Sequence, residues 1–166
     1  QVQSLATCQI QALSCAQPRS LPTGDFKALS TAQVQALTTA QINAGLTTAQ
    51  IQALNTANVA ALTTAQINAG LTTAQVVALQ TNQIQALSSG QVQALSTGQV
   101  AALETRDVVA LTSAQVQSLA TGQIQALSSA QVRSLETVDV AALCTSQVQA
   151  LTTAQINAGL TSTQVQ

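Results

Sequence analysis

The sequence contains no His, Met, Trp or Tyr, and its only Phe is Phe26. General acid–base catalysis usually recruits His, and haem iron is usually held by His, Met, Tyr or Cys. With one aromatic ring there is almost nothing on which nucleic-acid bases could stack. These absences argue against an enzyme, a haem protein and a nucleic-acid-binding protein. We therefore predict no catalytic residue, no cofactor-binding residue, no cofactor and no metal ligand.

Charged residues are also scarce, at 5% of 166 residues, where an ordinary soluble domain has about a quarter. Lys and Arg together number 4 and the net charge is -1, so there is no basic surface for phosphate groups or for an anionic membrane. The polar surface must come from Gln, Thr, Ser and Asn instead. No apolar run approaches the roughly 18 residues that span a bilayer. We expect neither nucleic acid nor membrane insertion.

The three cysteines, Cys8, Cys15 and Cys144, are scattered along the chain. A zinc site requires closely paired ligands, which this spacing does not provide. Cys8 and Cys15 would pair in an oxidising compartment. Otherwise the cysteines fill positions for small residues, because Cys packs as a small hydrophobe. The sequence leaves both interpretations open.

One unit recurs about every eight residues from Gln1 to Gln166, and the segment 71–78, Leu-Thr-Thr-Ala-Gln-Val-Val-Ala, is one copy of it. Each unit has a leading polar residue, usually Gln, followed by Val or Ile, a variable residue, Ala or Ser, and Leu. Thr or Ser stands two residues after the Leu. Three units have an inserted glycine and nine residues; the glycines are Gly45, Gly70 and Gly159. Because the chain begins and ends inside a unit, we interpret 1–166 as a single repeat array cut from a longer protein, with degenerate repeats at 8–27.

The spacing within the unit favours a helix over a strand. Val or Ile and the following Leu are three residues apart, which places them on one helical face but on opposite faces of a strand. The Thr or Ser two residues after the Leu has the placement of an N-cap. Asp25, Asp107 and Asp139 then fall in a first helical turn, where a carboxylate suits the helix dipole. The inserted glycines are predicted at helix ends, in the left-handed conformation usual there.

A continuous helix is excluded, because eight residues at 3.6 per turn rotate the apolar face by about 80° each time. We predict short helices of roughly six residues, joined at tight corners and marginal alone. Successive coils must then stack and bury Leu, Val and Ile. The predicted fold class is an all-α solenoid, or superhelix, of short helices from eight-residue repeats; a β-solenoid is the alternative. The 25-residue spacing from Gln41 to Gln66 hints at three units in each coil.

Two groups of residues break the pattern. Pro18, Pro22 and Phe26 lie in the degenerate segment, which is interpreted as a tolerant or capping coil near one end, or as a contact built around the only aromatic residue. The charged residues gather in two clusters, which we interpret as solvated charges at helix starts rather than an acid–base pair or a calcium site, because calcium requires six to eight oxygens. The clusters are Glu104, Arg106 and Asp107, and Arg133, Glu136 and Asp139.

The run 37–54 reads Leu-Thr-Thr-Ala-Gln-Ile-Asn-Ala-Gly-Leu-Thr-Thr-Ala-Gln-Ile-Gln-Ala-Leu. It resembles the octapeptide-repeat arrays of large secreted bacterial surface proteins, often labelled as haem utilisation or adhesion proteins, and the resemblance covers almost the full chain. It implies an extracellular or cell-surface role, although the haem part of the label has no support in these residues. We expect a structural repeat protein that forms an extracellular fibre, filament or adhesin stalk by end-to-end or lateral self-association with copies of itself. The alternative is a binding module whose Thr, Ser and Gln rows recognise carbohydrate or an ice-like surface.

Overall fold

Short helices follow one another along the chain, as the repeat predicts. The computed structural model describes residues 4–165, and these contain no β-strand, so the all-α prediction is confirmed and the β-solenoid alternative is wrong. None of the helices within that range has the length and apolar character needed to cross a bilayer. The chain divides into two compact units, Gln1–Leu87 (unit 1) and Ser88–Gln166 (unit 2).

Over its described residues, 4–87, unit 1 contains eight α-helices of five or six residues and two five-residue π-helical turns. The helices are α1 (Thr7–Gln11), α2 (Ala16–Ser20), α3 (Thr23–Lys27), α4 (Thr31–Ala36), α5 (Thr48–Ala53), α6 (Thr56–Ala61), α7 (Thr73–Val77) and α8 (Thr81–Gln85). The π-helical turns are Gln41–Gly45, between α4 and α5, and Gln66–Gly70, between α6 and α7.

Unit 2, as far as residue 165, contains eight further α-helices and a third π-helical turn. The helices are α9 (Ser89–Ala94), α10 (Thr97–Ala102), α11 (Thr105–Val109), α12 (Ser113–Ser118), α13 (Thr121–Ala126), α14 (Ser129–Ser134), α15 (Thr137–Ala141) and α16 (Thr145–Ala150). The π-helical turn Gln155–Gly159 follows α16.

Each helical segment packs against the one three segments further along its unit, so three segments complete one coil. In unit 1, α1 packs on α4, α4 on α6 and α6 on α8. The steps from α4 to α6 and from α6 to α8 each include one π-helical turn as a segment. In unit 2, α10 packs on α13 and α13 on α16, and α14 lies between α11 and the third π-helical turn. Each unit is therefore a three-sided solenoid. The count of three that the 25-residue spacing only hinted at is the one observed.

The helices begin one residue earlier than the sequence predicted. In α5 the N-cap is Thr47, the residue directly after Leu46, and its hydroxyl accepts from the Gln50 N–H at 3.2 Å. The near-invariant Thr48, predicted as the cap, is the first helical residue. The helix ends where Leu54 turns to extended backbone, with φ -61° and ψ 134°. Leu and the following cap residue, both extended, thus form each corner.

The Val or Ile and the Leu of each unit form the core, as predicted from their spacing. Val76 and Val116 are fully buried, and the corner residues Leu79 and Leu119 are 1% and 4% exposed. Each coil supplies only three such pairs, so the hydrophobic interior is narrow and depends on the coils on either side. Burying one Val or Leu side chain contributes about 1.5–3 kcal/mol, which an isolated six-residue helix could not gain.

The inserted glycines are not left-handed, which corrects the sequence prediction. No glycine among residues 4–165 has a positive φ. The extra residue instead widens the turn to a π-helix, in which Leu71 donates its N–H to the Gln66 carbonyl at 2.9 Å, five residues back. At two of the three positions the preceding coil leaves little room for a side chain: a Cβ on Gly159 would lie 3.1 Å from Val132 Cβ, and one on Gly45 would lie 2.7 Å from the Cys15 carbonyl oxygen.

Candidate functional site

From Gln33 to Gln155 every leading Gln is buried, although the sequence interpretation counted Gln as surface. Gln75, Gln123 and Gln131 are 2–3% exposed, in contrast to the variable-slot glutamines such as Gln125, which face solvent. Buried side-chain amides must have hydrogen-bond partners, or they would cost several kcal/mol. The structure supplies partners on two sides of each amide.

Gln131 illustrates the arrangement in unit 2. Its Oε1 accepts from the backbone N–H of the cap residue Ser128 at 2.7 Å, while the Ser128 hydroxyl accepts from the Gln131 N–H at 3.2 Å. Its Nε2 donates to the carbonyls of Leu103 at 2.8 Å and Val100 at 3.1 Å, both in the preceding coil. One side chain therefore caps its own helix and binds the corner of the coil below.

The same geometry recurs in unit 1, where Gln75 accepts from the Thr72 N–H at 2.9 Å and donates to the Leu46 and Ile42 carbonyls, each at 2.8 Å. The Ile42 carbonyl also accepts from the Leu46 N–H at 3.3 Å, but the Leu46 carbonyl lies in extended backbone beyond the helical turn. The Gln75 amide thus satisfies a corner carbonyl that would otherwise be buried and unpaired. Sequence reasoning missed this role. The signal was present, because Thr-x-x-Gln before an apolar residue is the capping-box pattern.

Asp25, Asp107 and Asp139 occupy the Gln slot of their units. Asp107 and Asp139, both in unit 2, are buried, which corrects the prediction of solvated charges. Asp107 is 0% exposed and neither carboxylate oxygen meets hydrogen-bond geometry. Burial raises the pKa of Asp107; Arg106 lowers it, Glu104 raises it, and the Glu104 backbone N–H lowers it slightly. Arg106 lies 3.8 Å from the carboxylate but pairs more closely, at 2.8 Å, with exposed Glu104.

The second charged cluster does not form a site either. Asp139 is 3% exposed and accepts from the Ser113 hydroxyl at 2.6 Å. Arg133 is exposed and donates to the Ala158 carbonyl of the next coil. Among residues 4–165 no group of three or more His, Cys, Asp or Glu side chains converges on a position suited to a metal ion.

The degenerate segment 8–27 contributes the side chains of Ile10, Pro18 and Phe26 to the core. Phe26 and Pro18 occupy Val/Ile slots and are buried, Phe26 to 2% exposure. With Ile10, Leu29 and Leu37 they surround a cavity of about 10 Å³, which is at the limit for a single water molecule. The only aromatic ring therefore fills the core, and no ligand contact is built around it.

The cysteines are free in the structure, and Cys8 and Cys15 do not pair. Cys144 occupies an N-cap position and is exposed, with its Sγ 3.1 Å from the Ser146 hydroxyl. Hydrogen bonding to that hydroxyl and to the Gln147 backbone lowers the pKa of the Cys144 thiol.

One corner of unit 1 carries an open groove of about 420 Å³. It crosses three successive coils, at the ends of α3 and α5 and at the starts of α6 and α8. Lys27, Gln52, Asn55, Gln80 and Asn82 supply its polar side chains, and all five are exposed. We call this surface the corner groove.

Several residues that line the corner groove differ from the usual residues of their slots in the repeat. Asn55 and Gln80 occupy N-cap slots, and no other N-cap slot of the chain carries an amide side chain. Asn82 is the only Asn in the slot before a leading residue, and Lys27 is the only lysine. The convergence of these residues at one corner follows from the three units in each coil, which bring units 25 residues apart into contact.

Comparison with known families identifies the repeat. The profile of the ALTTAQ repeat matches residues 19–56, 46–81, 69–105, 100–137 and 132–166. The chain belongs to the ALTTAQ repeat family. The ALTTAQ motif appears unaltered at 36–41, and its letters have distinct structural roles: Leu37 is a core and corner residue, Thr38 is the cap, and Gln41 binds the coil below. No curated protein and no solved structure matches the chain.

Proposed function

We propose that this ALTTAQ repeat array is a structural segment that associates with further copies of itself through the ends of its coils, building an extracellular fibre, filament or adhesin stalk. The observation that carries the proposal is the likeness of the coils: within each unit, a coil presents buried Val or Ile and Leu side chains and a row of leading Gln amides to the coil beside it. A surface that stacks on its like inside one chain can stack in the same way on a coil of a second chain. In the 166-residue chain Val148 and Ile156 occupy core slots of the C-terminal coil and are each 49% exposed, so the contact can be tested there.

Hydrogen bonding between coils has the same repeating form. The leading Gln of one coil donates its Nε2 to a corner carbonyl of the coil before it, as Gln131 does to Leu103 at 2.8 Å. Because the units repeat, a coil of a second copy can offer the same amide to the same carbonyl. A head-to-tail contact of this kind generates an open filament unless its rotation closes.

The extracellular location and the bacterial surface setting rest on the resemblance of the run 37–54 to secreted surface arrays, and they remain part of the proposal. So does the expectation that the chain is not an enzyme, which rests on its residue types. Immunogold labelling of intact cells with antibody against residues 1–166 tests the location: label confined to the cell interior would contradict it.

Sedimentation velocity and electron microscopy of the purified chain test the self-association. We expect concentration-dependent linear assemblies, which Val148→Glu and Ile156→Glu should abolish by placing a charge in the apolar contact. Val138→Glu is the matched control, because Val138 is exposed in the same coil but stands in the outward-facing slot before a leading residue. Dispersed monomers at every concentration, or assemblies indifferent to the Val148 and Ile156 changes, would overturn the proposal.

A further inference from the structure

We propose that the corner groove binds a carboxylated oligosaccharide of the uronic acid type, with Gln52, Asn55, Gln80 and Asn82 hydrogen-bonding its hydroxyl groups and Lys27 pairing with its carboxylate. This binding is independent of self-association, because the groove lies on the side of unit 1 and not at the coil end.

The groove amides have unused hydrogen-bonding capacity. The side chains of Gln52, Gln80 and Asn82 make no hydrogen bond to any described residue. Asn55 Oδ1 accepts from the Asn58 N–H at 2.8 Å, but its Nδ2 makes only a long contact of 3.4 Å with the Lys27 carbonyl. In the other units the slots of Asn55, Gln80 and Asn82 mostly hold Ser, Thr, Ala or Gly, which offer fewer polar atoms or none.

Because Asn58 replaces a leading Gln, the backbone N–H of Asn55 is a further unused donor beside these amides. Asn58 fills a Gln slot with a shorter side chain, whose Nδ2 still donates to the Leu29 carbonyl at 2.9 Å. Unlike the leading Gln residues, it makes no return bond to the cap, so α6 lacks the reciprocal capping box. The backbone N–H of Asn55 therefore has no side-chain acceptor, at a residue that lines the groove.

The chemistry of these groups selects the class of ligand. An amide side chain carries both donors and an acceptor, which complements hydroxyl groups that are themselves donors and acceptors. Lys27 adds one positive charge, and no Asp or Glu lines the groove. A ligand that carries a carboxylate is therefore favoured over a cationic ligand. A polyphosphate would require several basic residues, and an apolar peptide would require an apolar lining.

The repeat geometry favours an oligomer over a single sugar. Lys27, Gln52, Asn55 and Gln80 come from three successive coils, so the polar groups follow one another down the corner. A volume of about 420 Å³ lies within the ordinary range of ligand sites. Because the groove is open, we expect weak binding, with a Kd on the order of 1 mM.

The test is a titration of the full chain with oligogalacturonate, followed by proton–nitrogen NMR so that the side-chain amides of the groove report directly. The uncharged oligogalactose of equal length and oligoglutamate of equal charge are titrated in parallel. We expect oligogalacturonate to shift the groove amides, and both comparison ligands to bind about tenfold more weakly or worse.

Two variants locate the site. Asn55→Ser with Gln80→Thr and Asn82→Ala returns each slot to a residue found in other units, so the fold is retained; binding should weaken about tenfold or more. Lys27→Gln should remove the preference for the acidic over the uncharged sugar. Gln93→Ala with Gln125→Ala, at exposed variable slots of unit 2, is the matched control and should bind as the parent chain does. Absence of binding, equal binding of oligoglutamate, or binding that survives the triple change would each overturn the proposal.

Discussion

Gln123 and Gln125 are two residues apart in α13 and have the same chemistry, yet their environments differ completely. Gln123 accepts from the Ala120 N–H at 2.7 Å and donates to the Leu95 and Val92 carbonyls at 2.7 and 3.0 Å. Gln125 faces solvent. At the scale of single residues, position within the eight-residue unit therefore decides whether a polar side chain holds the fold together or only covers it.

This contrast gives a first prediction. Gln123→Ala removes the amide that accepts from the Ala120 N–H and donates to carbonyls of the preceding coil, so the free energy of unfolding should fall by about 2–4 kcal/mol. Gln125→Ala should change it by less than about 0.5 kcal/mol. Urea denaturation followed by circular dichroism measures both. Equal effects of the two substitutions would contradict the structural role of the leading Gln.

Asp107 gives the second prediction. Because burial raises its pKa, the folded state holds the proton to higher pH than the unfolded chain does, so this group's contribution to stability is lost as pH rises from the ordinary value of 3.8 through the raised folded value. Asp107→Gln should therefore raise the melting temperature at pH 7 and flatten its decline above about pH 4.

Asp139→Gln is the matched control for Asp107→Gln. Its carboxylate already has a partner, the Ser113 hydroxyl at 2.6 Å, so the substitution breaks a hydrogen bond and should stabilise less. The melting temperatures of the parent chain, Asp107→Gln and Asp139→Gln are compared between pH 3 and pH 8. An unchanged pH profile in Asp107→Gln would show that this carboxyl is not the source of the dependence.

At the scale of the helix, sterics between coils govern where glycine is needed. A Cβ on Gly159 would lie 3.2 Å from the Ser129 carbonyl oxygen as well as close to Val132, whereas a Cβ on Gly90 in α9 would meet nothing within 4 Å. Neither residue has a positive φ. The two glycines therefore differ in their surroundings and not in their backbone conformation.

The third prediction follows from that difference. Gly159→Ala should destabilise the chain by about 1–3 kcal/mol, because the neighbouring coil must shift to accept the methyl group. Gly90→Ala should instead stabilise it by about 0.4–1 kcal/mol, because alanine loses less backbone entropy than glycine in a helix. Melting temperatures of the two variants should thus move in opposite directions, and a shift of the same sign in both would refute the steric explanation.

The helices, their approximate length and their Val, Ile and Leu face could be predicted from the sequence, because spacing within one unit determines them. The cap was misplaced by one residue, since Thr47 and Thr48 are both good capping residues and only the backbone distinguishes them. Gly45 was misjudged because a nine-residue unit can end in a left-handed residue or widen to a π-turn. The corner groove was out of reach, because it joins residues one coil apart and the number of units per coil was not determined by the sequence.

At the scale of the whole molecule, each coil is stabilised by the coils on either side, as in other solenoids. In unit 2, the coil formed by α12, α13 and α14 is covered by α15, α16 and the third π-helical turn. The covering coil itself leaves Val148 and Ile156 half exposed. Stability should therefore be lowest in that last coil.

Hydrogen exchange tests this fourth prediction. In dilute solution, amides of α15, α16 and Gln155–Gly159 should exchange at least about tenfold faster than those of α12–α14, because local opening there breaks contacts on one side only. At concentrations where copies associate, the difference should shrink. Uniform protection across both coils in the dilute sample would indicate that the end coil needs no neighbour.

Three units per coil also constrains how such an array can change length. Inserting or deleting one unit moves every later residue onto the next of the three faces, while inserting or deleting three leaves each residue above its former neighbour. The core tolerates either change, because most units present the same Val or Ile, Leu and Gln. The corner groove does not, because Lys27, Gln52 and Gln80 share one corner only while the count between them stays a multiple of three. Selection on a surface feature of this kind would therefore favour insertions and deletions of three units, or about 24 residues, at a time.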